Sequence, residues 1–320
     1  MVFAVHADTQ MPLRIARVVD VAEGIRSFEL VQADGSELPP FTPGSHVKVQ
    51  VPSGALRKYS LCNCAAERQR YVITVKREAG GQGGSVSLCD DAREGDILPT
   101  SLPDNAFALV DSPKGYLFIA GGIGITPILS MIRSFGELPS APWTLHYLTR
   151  SPQSTPYRDE LAALGKQVRI HHDHGDPAHS VDLWPLLEKP NTAHTYCCGP
   201  RPLMDAVRDM TGHWSPANVH FESFVEGGGV LPDDRPFKVR LAKTGLAFEV
   251  PVGISILAAL REHGCNTAAS CESGTCGTCR TVLVAGTADH RDMVLMPEEM
   301  DTQIMICVSR AKSAELVLDL

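Results

Sequence analysis

The 320-residue chain has no apolar run approaching the roughly 20 residues that a bilayer-spanning helix requires. Its first residues, Met1 to Pro12, break up their few apolar positions with His6, Asp8, Thr9 and Gln10 and do not form a signal-peptide core. A soluble cytoplasmic protein is therefore expected. Positive charge is also scarce: 29 Lys and Arg stand against 37 Asp and Glu, a formal net charge of -8. Without clustered basic residues to neutralise phosphates, a nucleic-acid partner is excluded. Internal repeats and low-complexity tracts are absent, and a composition of 43% apolar and 21% charged residues leaves no segment that reads as disordered. The chain exceeds what one ordinary core covers, so two or three domains are expected. What it does have is ten cysteines. In a reducing compartment these are thiols or metal ligands, not a disulfide framework.

Before residue 110, short β-rich runs such as Ser45–Val51 and Tyr71–Lys76 are separated by Pro and Gly turns, which suggests a small antiparallel barrel. From Tyr116 the pattern changes to apolar strands followed by helical stretches. Tyr116–Ala120, Thr144–Leu148 and Val168–His171 read as strands, and Ile128–Phe135, Tyr157–Leu164 and Leu203–Met210 as helices. That alternation implies a parallel sheet with helical crossovers. Glu226–Pro236 combines glycines, prolines and charge without periodicity and reads as a linker. Beyond it, Phe237–Leu241 and Ala247–Val250 suggest a hairpin, Ile256–His263 a short helix, and Thr281–Val284, Gln303–Val308 and Glu315–Leu320 strands. The expected division is 1–110, 111–226, a linker over 227–236, and 237–320.

The run Cys271-Glu-Ser-Gly-Thr-Cys276-Gly-Thr-Cys279, with Cys307 after 27 further residues, has the C-x4-C-x2-C…C spacing of a plant-type [2Fe-2S] site. Four thiolates must surround two irons, so three of them come from one tight loop, where Gly274 and Gly277 permit positive φ. A structural zinc site is the alternative, but zinc loops usually pair two C-x2-C units, and this spacing fits that poorly. Most of the other six cysteines, Cys62, Cys64, Cys89, Cys197, Cys198 and Cys265, are expected to be buried small hydrophobes.

Leu117–Pro127 carries a strand into a glycine turn, Gly121, Gly122 and Gly124, and then into a helix opened by Pro127. Such a turn lets backbone approach a pyrophosphate while the helix start offers unpaired N–H groups. Tyr196–Met204 repeats the arrangement, its strand ending at Cys198, Gly199 and Pro200, as expected for a parallel sheet whose carboxyl ends build one crevice. In the first part of the chain, Arg57, Lys58, Tyr59 and Ser60 bring charge, an aromatic ring and a hydroxyl together on one strand. Lys76 and Arg77 follow another strand, and Gly80–Ser85 forms a glycine-rich helix start suited to one phosphate.

With these three motifs in this order, the whole chain resembles the phthalate dioxygenase reductase family, reductases of bacterial Rieske oxygenases. The resemblance implies a multidomain α/β and β protein: an antiparallel flavin-binding β-barrel, a parallel α/β nicotinamide-binding domain and a C-terminal ferredoxin β-grasp domain. It implies FMN held by Arg57, Lys58, Tyr59 and Ser60 at the ring and phosphate, Val75, Lys76 and Arg77 along the ribityl side, and Gly83, Gly84 and Ser85 at the phosphate. Gln82 stands where relatives carry an arginine. Thr126 matches a threonine near the flavin and nicotinamide rings, and Phe224 an aromatic beside the isoalloxazine. By the same resemblance the electron donor is NADH, the acceptor a terminal Rieske-type oxygenase and the chain a monomer. Asp173, placed to repel a 2′-phosphate, and Arg150, placed to attract one, follow successive strands and leave the choice of nicotinamide open from the residues alone. Nicotinamide delivers two electrons as hydride whereas the cluster accepts one, so a flavin is expected between them. Hydride transfer to a flavin needs alignment more than proton chemistry, and no catalytic acid or base is assigned.

Overall fold

The computed structural model describes residues 10–137, 141–224 and 228–320, so Met1–Thr9 and the first residue of the expected linker, Gly227, lie outside the described residues. The chain divides into two compact units, one up to His220 and one over Phe221–Leu320.

In the first unit, β1 (Gln10–Ala22), β2 (Ile25–Gln32), β3 (His46–Gln50), β4 (Leu56–Ser60), β5 (Tyr71–Lys76) and β6 (Ile97–Ser101) form an antiparallel sheet in the order β4-β3-β6-β1-β2-β5. Leu61, just past β4, bridges Ile73 of β5 and brings the two edges of the sheet together. Period-two alternation sends Leu13, Ile15, Phe28, Leu30, Val47 and Val49 into one core. Helix α1 (Gly84–Asp91) follows β5 and buries Leu88 and Cys89 in the same core.

The parallel part contains β7 (Tyr116–Gly121), β8 (Trp143–Thr149), β9 (Val168–His172), β10 (His194–Cys198) and β11 (Val219–Glu222), ordered β11-β10-β7-β8-β9. Its helices are α2 (Ile125–Ser134), α3 (Arg158–Ala163), α4 (Trp184–Leu187) and α5 (Arg201–Thr211). Helix α2 begins at Ile125, two residues before the expected Pro127. A short 3-10 turn over Gly122–Gly124 leads into it, and Pro127 falls in the first turn, where a missing N–H breaks no bond.

Strand β5 has both faces covered. Tyr71, Ile73 and Val75 enter the barrel core, while Val72 joins the core of the parallel sheet beside Phe118, Ile128 and Leu129. Thr74, on the same face as Val72, hydrogen bonds to the Tyr157 hydroxyl at 2.5 Å. Two further bonds cross from helix α2 to the segment after β4, Ser130 Oγ to Asn63 O at 2.9 Å and Arg133 Nη1 to Cys62 O at 2.7 Å.

The second unit has β12 (Phe237–Leu241), β13 (Ala247–Val250), α6 (Ile256–Glu262), β14 (Arg280–Ala285), β15 (Ala288–Asp289), β16 (Gln303–Met305), β17 (Arg310–Ala311) and β18 (Glu315–Leu318). The main sheet runs β13-β12-β18-β14-β16, and β15 pairs with β17. Ser255 caps α6 by accepting from Ala258 N, and Leu257 and Leu260 fill the core beneath. The strand expected to reach Val308 stops at Met305, because the backbone turns there: Ser309 N bonds Met305 O at 3.0 Å, and the turn presents Cys307 inward. The expected linker is not loose over its described part. The Asp234 side chain is 4% exposed and pairs with Arg291, whose guanidinium also bonds Gly229 O.

Among the described residues, no helix is long and apolar enough to cross a membrane.

Candidate functional site

The glycine turn after β7 is packed against the end of β10. These strands pair in parallel from Tyr116 with His194 to Ala120 with Cys198, so both carboxyl ends emerge side by side. A Cβ on Gly124 would lie 2.2 Å from Cys198 O, and one on Gly121 would lie 2.6 Å from Pro200 Cδ. Gly199 is equally restricted, its added Cβ meeting Gly121 Cα at 2.9 Å. The structure thus packs Gly121 and Gly124 tightly against Cys198, Gly199 and Pro200 in one glycine notch at the carboxyl ends of β7 and β10, the end of a parallel sheet where nucleotides bind. Thr126 and Pro127 are buried at its base, with the Thr126 hydroxyl donating to Ile123 O at 3.1 Å. Arg150 and Asp173 follow the neighbouring strands β8 and β9 and are joined through backbone, His174 N donating to Arg150 O at 2.8 Å. The Asp173 carboxylate accepts from Gly175 N at 2.8 Å, which holds it at the strand end.

A substitution tests this packing. Gly124→Ala must force the turn away from Cys198, and a shift approaching 1 Å in a positioning element is expected to lower kcat/KM for NADH by about a hundredfold. Flavin content, read from visible absorbance, is expected to stay at wild-type level. Unaltered kinetics would show that nicotinamide binds elsewhere.

At the barrel, Arg57 of β4 lies across the start of α1. A Cβ on Gly84 would come within 2.5 Å of Arg57 Nε, so glycine there is what lets the guanidinium reach the helix start. Arg57 is aimed by bonds from Nη1 to Leu56 O at 2.8 Å and from Nη2 to Gln82 Oε1 at 3.1 Å. Gly83 caps the helix in the left-handed region, φ 80°, and Ser85 Oγ accepts from Glu78 N at 3.1 Å. Arg57, Gln82, Gly83, Gly84 and Ser85 therefore converge as a cation over unpaired helix N–H groups. Lys58 and Tyr59 are half-buried on the same strand, Ser60 is buried, and burial pushes the Tyr59 hydroxyl well above its usual pKa.

The other expected flavin residues are dispersed. Val75 points into the barrel core, so its side chain is not on a ligand face. Lys76 pairs with Glu78 at 2.9 Å, and Arg77 forks onto Asp90 at 2.7 to 3.0 Å. Phe224 is 38% exposed and belongs to the second unit, two residues past β11. Sequence reasoning missed Tyr157. It adopts φ 58°, stacks under the Arg133 guanidinium 4.9 Å from its ring centre, and contacts Thr74, Ser27 and Cys62 through its hydroxyl. No local pattern marks a tyrosine in that conformation.

In the second unit the four cysteines gather as the spacing requires. The thiols touch in a chain from Cys276 to Cys271 to Cys307 to Cys279. Backbone N–H groups of Ser273 and Thr275 point at Cys271 Sγ from 3.5 and 3.4 Å. Gly274 and Gly277 have φ 75° and 79°, and Glu272 is held left-handed at 53°. Met293 N bonds Gly274 O at 2.9 Å and backs the loop. Among the described residues no group of three or more His, Cys, Asp or Glu is arranged for a single metal ion. The four neighbouring thiols, with N–H groups directed at Cys271 Sγ, are the kind of donor set a [2Fe-2S] cluster takes. Cys271, Cys279 and Cys307 are buried and Cys276 is partly exposed. Of the remaining cysteines, Cys62, Cys89, Cys197 and Cys198 are buried as expected, and Cys64 and Cys265 only partly so.

Residues 239–312 match the 2Fe-2S iron-sulfur cluster binding domain family, and residues 118–209 the oxidoreductase NAD-binding domain family. The chain is 52% identical over 316 residues to a phthalate dioxygenase reductase of Burkholderia cepacia, covering 98% of each. It is 51% identical over 311 residues to a phthalate 4,5-dioxygenase oxygenase reductase subunit of Pseudomonas putida, covering 96% of each. A solved phthalate dioxygenase reductase, described as a modular structure for electron transfer from pyridine nucleotides to [2Fe-2S], superposes with a TM-score of 0.73 at 51% identity over 98% of both chains. With identity of this order along nearly its full length, the chain belongs to the phthalate dioxygenase reductase family of NADH-, FMN- and [2Fe-2S]-dependent oxidoreductases.

Proposed function

We propose that this chain is the reductase component of a Rieske-type aromatic-ring oxygenase or demethylase system, carrying electrons from NADH through FMN and [2Fe-2S] to a terminal oxygenase. The observation that carries the reading is the gathering of Cys271, Cys276, Cys279 and Cys307 in a chain that also holds a glycine notch above a parallel sheet. Bound FMN supplies the conversion from hydride to single electrons, and the cluster supplies the one-electron exit.

The residues divide that work. Gly121, Gly122, Gly124, Cys198, Gly199 and Pro200 admit the NADH pyrophosphate to backbone, while Thr126 and Pro127 fix the turn. Asp173, just past β9, would disfavour a 2′-phosphate on the ribose, with Arg150 just past the neighbouring strand β8. Arg57, Gly83, Gly84 and Ser85 hold the FMN phosphate, and Lys58, Tyr59 and Ser60 line its ring. Val75, Lys76 and Arg77 are assigned to the ribityl side through their backbone, and Phe224 is assigned, by resemblance alone, as the aromatic that accompanies the flavin. We assign the flavin domain to 1–110, the nicotinamide domain to 111–226, the linker to 227–236 and the ferredoxin domain to 237–320.

The chain works as a cytoplasmic monomer and meets its oxygenase briefly, as redox partners with small interfaces do. Its docking face is the cysteine loop around the partly exposed Cys276 and exposed Thr278. There Glu272 pairs with Arg261 at 2.9 Å and Arg280 with Glu299 at 2.7 Å, so both charges that face a partner are already balanced. Relatives named for phthalate dioxygenase systems make an aromatic-acid oxygenase the first partner to test.

Purified protein is expected to show flavin peaks together with a broad cluster band. FMN, not FAD, should be released on heating, and kcat/KM should be higher with NADH than with NADPH. A cluster band without flavin would reduce the protein to a ferredoxin-like carrier. FAD on chromatography, or a preference for NADPH, would overturn the corresponding assignment.

A further inference from the structure

Three hydroxyl side chains lie in the cysteine loop. Thr275 and Thr278 reach ligand sulfurs, Thr275 engaging Cys271 and Thr278 Oγ1 lying 3.2 Å from Cys276 Sγ. Ser273 differs from both. The residue is 6% exposed, and its Oγ is buried without a hydrogen-bond partner. Its backbone N–H points at Cys271 Sγ. The residues on either side, Glu272 and Gly274, are both left-handed, and this pins the orientation of the peptide between them. Gly274 also packs closely on Val308 and Asp292: an added Cβ there would meet Val308 Cγ2 at 2.6 Å and Asp292 Cα at 3.1 Å.

A buried hydroxyl with no acceptor costs about 1–3 kcal/mol, and native proteins rarely carry one. An acceptor from outside the surrounding protein atoms would remove that cost. The four thiols that frame the loop would bring one, since a [2Fe-2S] cluster carries two inorganic sulfides besides its ligand sulfurs.

We propose that the Ser273 hydroxyl donates a hydrogen bond to a sulfur of the cluster and thereby raises the cluster's reduction potential. The proposal rests on the reading of this loop as the cluster site. Reduction adds one electron to the cluster, and a donor aimed at sulfur stabilises the more negative form. No atom is transferred, and the proton stays on Ser273. The hydroxyl tilts the equilibrium between flavin and cluster toward the cluster, the direction the reductase needs.

Redox titration of the full-length holoprotein tests this. Ser273→Ala is expected to shift the one-electron equilibrium about fivefold toward the oxidised cluster, a fall of roughly 40 mV at 59 mV per tenfold change. Ser273→Thr keeps a hydroxyl and should titrate near wild type. Iron content and the cluster band should be unchanged in both variants; if wild-type protein itself showed no cluster band, the site reading would fail instead of this proposal. A potential in Ser273→Ala equal to wild type, with the cluster fully loaded, would overturn it. Should Ser273→Ala not load, Ser273→Thr against Ser273→Val makes the comparison at equal volume. A lower potential for the Val variant is then the expected result, and equal potentials overturn the proposal.

Discussion

Replacing Cys307 by alanine is expected to abolish the cluster band and reduce electron transfer to an external one-electron acceptor to background, while NADH still reduces the flavin. Cys307 is 2% exposed and is the link between Cys271 and Cys279 in the chain of thiols, so no other sulfur can take its place. The nearest spare thiol, Cys265, follows α6 and is directed at His263 O, 3.9 Å away. Cys265→Ala should therefore retain its iron. The glycine notch and the Arg57 site lie wholly in the unit up to His220, and the cysteines lie wholly in the other. That division is why flavin reduction should survive. Iron analysis, visible spectra and stopped-flow mixing with NADH read the three quantities separately. Full cluster content in Cys307→Ala, or iron loss in Cys265→Ala, would refute the ligand set.

The second large effect concerns stability. Arg291 is 8% exposed and binds the carboxylates of Asp234 and Asp289 at 2.5 and 2.6 Å, with Arg310 3.7 Å from Asp234. Asp234→Ala would leave two buried guanidinium groups sharing one fewer carboxylate. Breaking a buried pair costs about 3–5 kcal/mol, and because Asp289 remains, the loss is expected near 3 kcal/mol. For a unit of this size that lowers its melting temperature by roughly 15 °C. Cluster bleaching reports the second unit and flavin release the first, so only bleaching should move.

The pH dependence has a definite sign. The hydrogen bond from Arg291 holds the Asp234 carboxyl below its usual value of 3.8. Its contribution is complete above that pH and is lost as pH falls through the lower folded-state value. The difference between wild type and Asp234→Ala should accordingly shrink only in strong acid. Equal melting temperatures at neutral pH would show that Asp234 contributes nothing.

The gathering of the four cysteines was legible because iron–sulfur geometry imposes its spacing on the chain itself. The meeting of the two glycine turns at the strand ends was legible for a similar reason, since only glycine permits the approach between Gly124 and Cys198. What sequence could not convey was which surface covers a given face. Tyr71–Lys76 read as a strand, and its boundaries are those observed, but nothing in the alternation shows that Val72 and Thr74 are buried by a different core from Ile73 and Val75. The run holding Asp234 read as a linker because it lacks periodicity. Lack of periodicity signals irregular backbone, and irregular backbone can still bury a carboxylate. Arg77 was placed beside the flavin by position along the chain, whereas Asp90 one helix away competes for its guanidinium.

The double burial of β5 bears on where this protein could have been assembled from parts. A strand whose alternate residues belong to two cores has no side along which the flavin barrel can be cut from the nucleotide sheet without exposing apolar surface. A gene fragment ending after the barrel would leave Val72 of that strand, and Cys62 in the segment after β4, bared to water. The buried core of the iron–sulfur module draws only on residues from Phe237 onward among the described residues. Separation of the two nucleotide-binding modules is therefore a costly rearrangement, whereas the core from Phe237 onward is built from a continuous stretch of chain.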